Sequence, residues 1–206
     1  RKEKKMRKKI CVIGLGYIGL PTSAMFAQSG CEVIGVDISE RVVNMLNQGH
    51  IHIEEPGLEE VVKAQVQNGN FRASLVPEKA DAFIIAVPTP NLDDEFRSCD
   101  LKFVVQGVEN ILPFVEKGNT VIVESTIAPK SMDDIVKPIF EKNGYVIGKD
   151  IYLAHCPERV LPGQILYELR HNNRIVGGIT PACTEHAAEV YGVFVEGEII
   201  KTEAKT

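Results

Sequence analysis

The chain carries no excess of positive charge. Its 23 Lys and Arg are outnumbered by 28 Asp and Glu, a formal net charge of -5 at pH 7. Neither nucleic acid nor an anionic lipid surface is therefore an expected partner, and any phosphate must be recognised locally. The sequence also lacks an apolar stretch approaching the ~20 uncharged residues of a membrane span, so no membrane partner is expected. Its five cysteines, Cys11, Cys31, Cys99, Cys156 and Cys183, are odd in number and form no C-x-x-C pair. That excludes a disulfide framework and a cysteine metal site, and fits a reducing cytoplasm. No metal is expected. Internal repeats, low-complexity tracts and obvious linkers are absent too; Asn91 to Asp100 is the most loop-like polar stretch.

What is present is an ordinary globular composition, 44% hydrophobic and 25% charged over 206 residues, enough for one large core. The start imitates a secretory signal: basic residues 1–9 precede the apolar run Ile10 to Leu20. That run holds three glycines at phosphate-loop spacing, which a removable leader does not need. Residues 1–9 read as a basic tail, partly a tag remnant with Met6 as the native start, and 10–206 as one domain.

Short apolar runs alternate with helical periodicity. Ile10 to Gly14 reads as a strand, Tyr17 to Gln28 as a helix closed by Gly30, and Glu32 to Asp37 as a second strand. Ser39 caps a helix through Asn47. A helix follows Pro56-Gly57, then strands near Phe71 and over Ala82 to Val87, then helix 101–115, strand 120–124, helix 131–142 and strand 151–154. A strand over 174–178, a helix from Pro181 to Val193 and a strand near 198–201 complete the pattern. Apolar strands of this kind separated by helices predict an α/β fold: a doubly wound, mainly parallel, Rossmann-like sheet with helices on both faces.

The motif Gly14-Leu15-Gly16-Tyr17-Ile18-Gly19 follows a strand and opens a helix, and Asp37 ends the next strand. A lone G-x-G-x-x-G is weak; this context makes it a dinucleotide site. Gly14 permits a tight turn, Gly16 clears the approach of a pyrophosphate, and Gly19 lets the helix pack on the sheet. The helix start offers free N–H groups to phosphate, first those of Tyr17 and Ile18. Asp37 accepts from ribose hydroxyls and repels a 2′-phosphate, favouring NAD over NADP, a preference Arg41 weakens; its bland reading is a helix cap.

Further candidates lie at carboxyl ends of strands, where open α/β sheets bind ligands. Thr89 follows strand 82–87, Ser125 and Thr126 follow strand 120–124, and His155-Cys156-Pro157-Glu158-Arg159 follows strand 151–154. Singly, Thr89, Ser125 and Thr126 read as helix caps; together they read as a site. Cys156 has no recognisable base beside it and reads as packing, as does Cys11; His155 reads as bonded to backbone.

The runs KICVIGLGYIGLPTSAMFAQSGCEVIGVDIS, IHIEEPGLEEVV, AVPTP, VESTIAPKSM, HCPERVLPGQILYEL and NRIVGG resemble the UDP-glucose and GDP-mannose dehydrogenase family along essentially the whole chain. GYIGLPT, CPERVLPG and TPACTEHAAEVYGVFVEGEI are most similar to the branch that oxidises UDP-N-acetyl-D-mannosamine. The resemblance implies four-electron oxidation of the sugar C6 alcohol to a carboxylate with two NAD, through a cysteine thiohemiacetal and thioester, as in polysaccharide precursor synthesis. It implies NAD contacts at Tyr17, Ile18, Asp37, Thr89 and Thr126, with Arg41 in addition. It implies contacts of Arg159 and Val160 with a UDP-N-acetylhexosamine, and proton handling by Glu158, shared by Thr126. Pro162 stands where UDP-glucose members often carry a second glutamate, which favours the N-acetylhexosamine branch and puts a two-acid loop in doubt.

The resemblance further implies a central dimer-forming helix and a later domain with the nucleophilic cysteine, both beyond Thr206, in a homodimer or higher oligomer. The chain by itself is accordingly expected to bind NAD without turnover. The alternatives are a UDP-N-acetylglucosamine or UDP-glucose dehydrogenase domain, a 3-hydroxyacid dehydrogenase, for which PERVLPG has no explanation, and a non-catalytic NAD-sensing module.

Overall fold

The computed structural model describes residues 7–93, 95 and 99–206. Residues 1–6 of the basic tail and four positions within the polar stretch 91–100 lie outside the described residues. The elements are β1 (Lys9–Ile13), α1 (Gly19–Gln28), β2 (Glu32–Val36), α2 (Glu40–Asn47), α3 (Leu58–Gln67), β3 (Phe71–Ser74), β4 (Ala82–Ile85) and α4 (Lys102–Ile111). They continue with β5 (Thr120–Val123), α5 (Lys137–Lys142), β6 (Tyr152–His155), α6 (Ile165–His171), β7 (Arg174–Gly178), α7 (Pro181–Tyr191) and β8 (Ile199–Glu203).

One eight-stranded sheet has the order β3-β2-β1-β4-β5-β6-β7-β8. Each neighbouring pair is parallel except β6 and β7. Successive side chains of a strand point to opposite faces, and here both faces are covered. In β1, Ile10 and Val12 enter a core with Leu20, Phe26 and Tyr191, whereas Cys11 and Ile13 enter a second core with Phe83, Val121 and Phe140. Strand order reverses between β1 and β4, opening a crevice at their carboxyl ends.

Helix α1 is buried along its length from Gly19 to Ala27. Its small residues Ser23, Ala24 and Ala27 let it lie between the sheet and α3, and Ser23 returns its hydroxyl to the Gly19 carbonyl at 2.7 Å. Ser39 caps α2, accepting from the Val42 N–H at 3.4 Å. Thr180 caps α7 in the same way, with Pro181 at the first helical position.

Three local features depart from the sequence pattern. The helix expected over 101–115 ends at Ile111 and tightens into a 3-10 turn, Leu112–Phe114, at Pro113. The helix expected over 131–142 opens with a π-helical turn, Met132–Val136, before α5, whose second residue, Pro138, has no N–H to donate. Helix α6 was not expected. Its seven residues span about 10 Å, and Glu55 holds its start by accepting from the Gly163 and Ile165 N–H groups. After α6 the chain re-enters the sheet from the carboxyl edge, and β7 runs antiparallel to β6.

Only Gly177 and Gly178 pair with β6, opposite His155 and Ala154. Arg174, at the other end of β7, consequently sits beyond the carboxyl ends of the central strands. Among the described residues, no helix is long and apolar enough to cross a membrane.

Candidate functional site

The glycine turn is built around two positions where a side chain is excluded. Gly14 has φ +95°, and a Cβ there would lie 2.6 Å from the Ala86 carbonyl oxygen. A Cβ on Gly19 would overlap the carbonyl oxygen of Gly14 and press on the Ala86 side chain. The third glycine thus packs the helix onto its own turn and the end of β4, a narrower role than packing on the sheet. Gly16 is exposed, with no atom within 4 Å of a Cβ built on it, so its emptiness serves the approach of something from outside. Among the described residues, the N–H groups of Gly16, Tyr17 and Ile18 find no protein acceptor, and α1 begins without a capping side chain. Free donors at a helix start, joined to the helix dipole, form an anion cradle. These residues fit a dinucleotide pyrophosphate.

Asp37 faces this turn from the end of β2. One carboxylate oxygen accepts from the Ser39 N–H at 2.9 Å and the other from the Leu15 N–H at 3.2 Å. It braces the glycine turn while Ser39 caps α2, so the capping alternative for Asp37 holds only in this modified form. The acid half-lines a cleft of about 470 Å³ with Gly14, Gly16, Tyr17, Ile18 and Val87. Arg41 does not line it: its side chain is exposed and runs along α2 to Met45 Sδ at 3.7 Å.

A second cleft of about 170 Å³ shares Ile18, Ala86, Val87 and Pro88 with the first, and adds Thr89, Glu124, Ser125, Thr126 and Glu158. The two form one furrow across the carboxyl ends of β1, β4, β5 and β6. Thr89 donates to the Thr126 carbonyl at 2.8 Å, and Ser125 donates to the Val87 carbonyl at 2.7 Å. These hydroxyls tie strand ends together; none caps a helix. Arg159 is exposed, and Val160 packs against the core, so neither lines the furrow.

Beneath Glu158 lies a buried charge cluster that the sequence pattern had not disclosed. Arg174 ion-pairs with Glu158 through Nη2, while its Nη1 stands 3.6 Å from Glu124. The guanidinium rests over the Tyr191 ring, 4.4 Å from its centroid, a cation–π contact worth about 0.5–2 kcal/mol. Tyr191 donates its hydroxyl to Glu124 at 2.7 Å, and Thr22 donates to the other carboxylate oxygen at 3.1 Å. Burial pushes the Glu124 carboxyl up to about 7, against the opposing pull of Arg174 and these hydrogen bonds. Glu158 is raised by burial as well, opposed by Arg174. A signal did exist for this cluster: an arginine opening an apolar strand and a glutamate ending another are charges that a two-sided core does not explain.

The remaining candidates behave as packing. His155 binds the Ser125 carbonyl at 3.0 Å, and burial holds its pKa below the ordinary histidine value. Burial drives the Cys156 thiol up to about 12, the opposite of nucleophile activation. Cys11 is fully buried, its thiol raised by burial to about 11. Among the described residues, no group of three or more His, Cys, Asp or Glu is placed to hold a metal.

Known proteins share this arrangement of chain. A UDP-N-acetyl-D-mannosamine dehydrogenase of Methanococcus vannielii is 50% identical over 206 residues, covering 99% of this chain and 46% of that protein. The solved native structure of the UDP-N-acetyl-mannosamine dehydrogenase of Staphylococcus aureus superimposes with a TM-score of 0.94 at 59% identity, over 96% of this chain and 48% of that one. The GDP-mannose dehydrogenase of Pseudomonas aeruginosa, solved as a ternary complex, gives a TM-score of 0.86 at 26% identity, over 97% of this chain and 47% of that one. The chain spans about half the length of the relatives it matches. Residues 8–195 match the NAD binding domain of the UDP-glucose/GDP-mannose dehydrogenase family, which sets aside the 3-hydroxyacid alternative, and the chain belongs to that family.

Proposed function

We propose that this chain is the NAD-binding domain of a UDP-N-acetyl-D-mannosamine 6-dehydrogenase, supplying the cofactor site and one catalytic carboxylate. The observation that carries the proposal is the continuous furrow from Asp37, past the glycine turn, to Thr126 and Glu158. In this reading the free N–H groups of Gly16, Tyr17 and Ile18 hold the pyrophosphate, Asp37 the adenosine ribose, and Thr89 and Thr126 line the nicotinamide end. Arg41 is a peripheral contact, and Arg159 and Val160 reach the UDP-sugar from the loop after β6. Their positions outside the furrow require that loop to meet substrate on its other side.

Converting a C6 alcohol to a carboxylate removes four electrons as two hydrides and consumes one water, releasing protons. NAD, when bound, supplies the hydride acceptor for each of the two steps. Glu158 holds or accepts a proton beside the reacting carbon, and burial raises its proton affinity above the ordinary carboxylate value, the direction that work requires. In this reading the thiol nucleophile comes from outside this domain: Cys11, Cys31, Cys156 and Cys183 are buried, burial pushes the Cys156 thiol away from ionisation, and the half-exposed Cys99 does not line the furrow.

Calorimetric titration of the chain with NAD, followed by turnover assays on the full-length gene product, tests the proposal. Binding of NAD by the chain, with about two NADH formed per UDP-N-acetylmannosamine by the full-length product, is the expected result. One NADH per sugar, or preference for NADP, would overturn it.

A further inference from the structure

Glu158 does not stand alone in the furrow. Loop 156–164 between β6 and α6 brings no other acid, yet a second carboxylate, Glu124, lines the same cleft from the end of β5. Both carboxylates are bound to one guanidinium, Arg174, whose side chain is almost wholly buried. We propose that Glu124 is a positioning residue for Glu158: through Arg174 the two acids share one proton, and the charge on Glu124 sets the proton affinity of Glu158. This rests on the reading of Glu158 as the acid–base residue and adds to it the group that tunes it.

Charge counting within the cluster favours the sharing. Two buried carboxylates against one cation leave an unbalanced negative charge, which one proton removes. The cluster is asymmetric in the sense this requires. Arg174 Nη2 is tight on Glu158, whereas Nη1 is buried 3.6 Å from Glu124 and, among the described residues, has no hydrogen-bond partner. The guanidinium is committed to Glu158, so the proton rests on Glu124. The hydroxyls of Tyr191 and Thr22 on Glu124 can each donate or accept, so they serve the acid in either protonation state.

The other ionisable groups facing the pair leave it in control. Cys156, on the β6 side, and Tyr191, on α7, are both pushed further from ionisation by burial. Glu168, on α6, adds a like charge near Glu158 and is engaged by the Leu161 N–H at 2.8 Å. The raised affinity of Glu124, about 7, agrees with a proton that moves in the working range.

Infrared titration of the carboxyl stretch in the chain tests the sharing directly. Wild type should show one buried carboxyl losing its proton near neutrality. Glu124→Gln should abolish that transition, and Glu158→Gln should lower its midpoint by about one pH unit, a tenfold change in proton affinity. In the full-length gene product, Glu124→Gln should move the pH limb of kcat to lower pH while leaving the KM for NAD unchanged, because no negative charge on residue 124 then opposes ionisation of Glu158. An unmoved limb, or a neutral-range carboxyl transition that survives Glu124→Gln, overturns the proposal. Failure of the functional reading looks different: Glu158→Gln would then leave the limb in place, whatever Glu124 does. Arg174→Lys, which keeps the charge, should preserve the coupling in weakened form; full uncoupling in that variant also argues against a shared proton.

Discussion

The carbonyl oxygen of Gly14 occupies the space that a Cβ on Gly19 would need. The first and third glycines of the motif are thus one steric unit, and the turn cannot relax around a methyl group without pulling α1 off the end of β4. Gly19→Ala should therefore destabilise the chain by several kcal/mol, the range of severe overpacking combined with backbone displacement. Gly16→Ala, where a Cβ meets nothing, should leave the urea midpoint near wild type and weaken NAD. Equal losses of stability in the two variants would contradict this division of labour.

The fold and one end of the site were legible because they rest on local rules. Alternation of β1 between two cores, the cap at Ser39 and the spacing of Gly14, Gly16 and Gly19 are all written within a few residues. Helix α6 was not, since its start is held from far away: Glu55 accepts from the Gly163 and Ile165 N–H groups, each at 2.8 Å. The cluster of Glu124, Glu158 and Arg174 escaped for the same reason. It exists because the antiparallel entry of β7 lifts Arg174 beyond the sheet edge, and no local pattern records strand direction.

Arg174→Met should destabilise the chain more than Glu158→Ala or Glu124→Ala does with Arg174 intact. Removing either acid leaves the guanidinium paired with the other, whereas the Met variant strands two buried carboxylates without their cation, at about 3–5 kcal/mol where they ionise. Urea unfolding at pH 6 and pH 8 checks this. The Met variant should lose more at pH 8, where its two acids are forced toward ionisation.

Glu124 also predicts a slope in stability against pH. Its folded proton affinity is raised above the ordinary 4.5 to about 7, so its contribution is fully present below pH 4.5 and is lost as pH rises through about 7. The loss is on the order of 3 kcal/mol for such a shift. His155 acts in the opposite sense, because its lowered pKa favours the folded state as pH rises toward 6.5. The difference between wild type and Glu124→Gln, measured by urea unfolding from pH 4.5 to 8, isolates the glutamate. It should change steadily across that window; a constant difference would rule out a raised affinity.

Thiol chemistry should separate packing from reactivity. Cys11, Cys31, Cys156 and Cys183 are buried, and Cys99 is half-exposed. In the native chain iodoacetamide should label Cys99 first and leave Cys156 unmodified until unfolding, as read by peptide mass spectrometry. Rapid labelling of Cys156 would reopen its candidacy as a nucleophile.

Asp37 provides the sharpest test of the cofactor site, because its carboxylate already has internal partners. Replacing it by Ala removes the ribose acceptor together with the brace on Leu15 and Ser39. NAD binding should weaken by about 1–3 kcal/mol through lost hydrogen bonds, accompanied by a fall in thermal midpoint. Asp37→Asn keeps an oxygen for one backbone N–H and removes the charge. It should hold more of the stability, lose part of the NAD affinity, and admit NADP, since the repulsion of a 2′-phosphate depends on charge alone. Calorimetry with both cofactors on both variants distinguishes the terms. If Asn behaves as Ala does in stability yet still rejects NADP, the carboxylate is a brace for the turn, and cofactor choice lies elsewhere in the furrow.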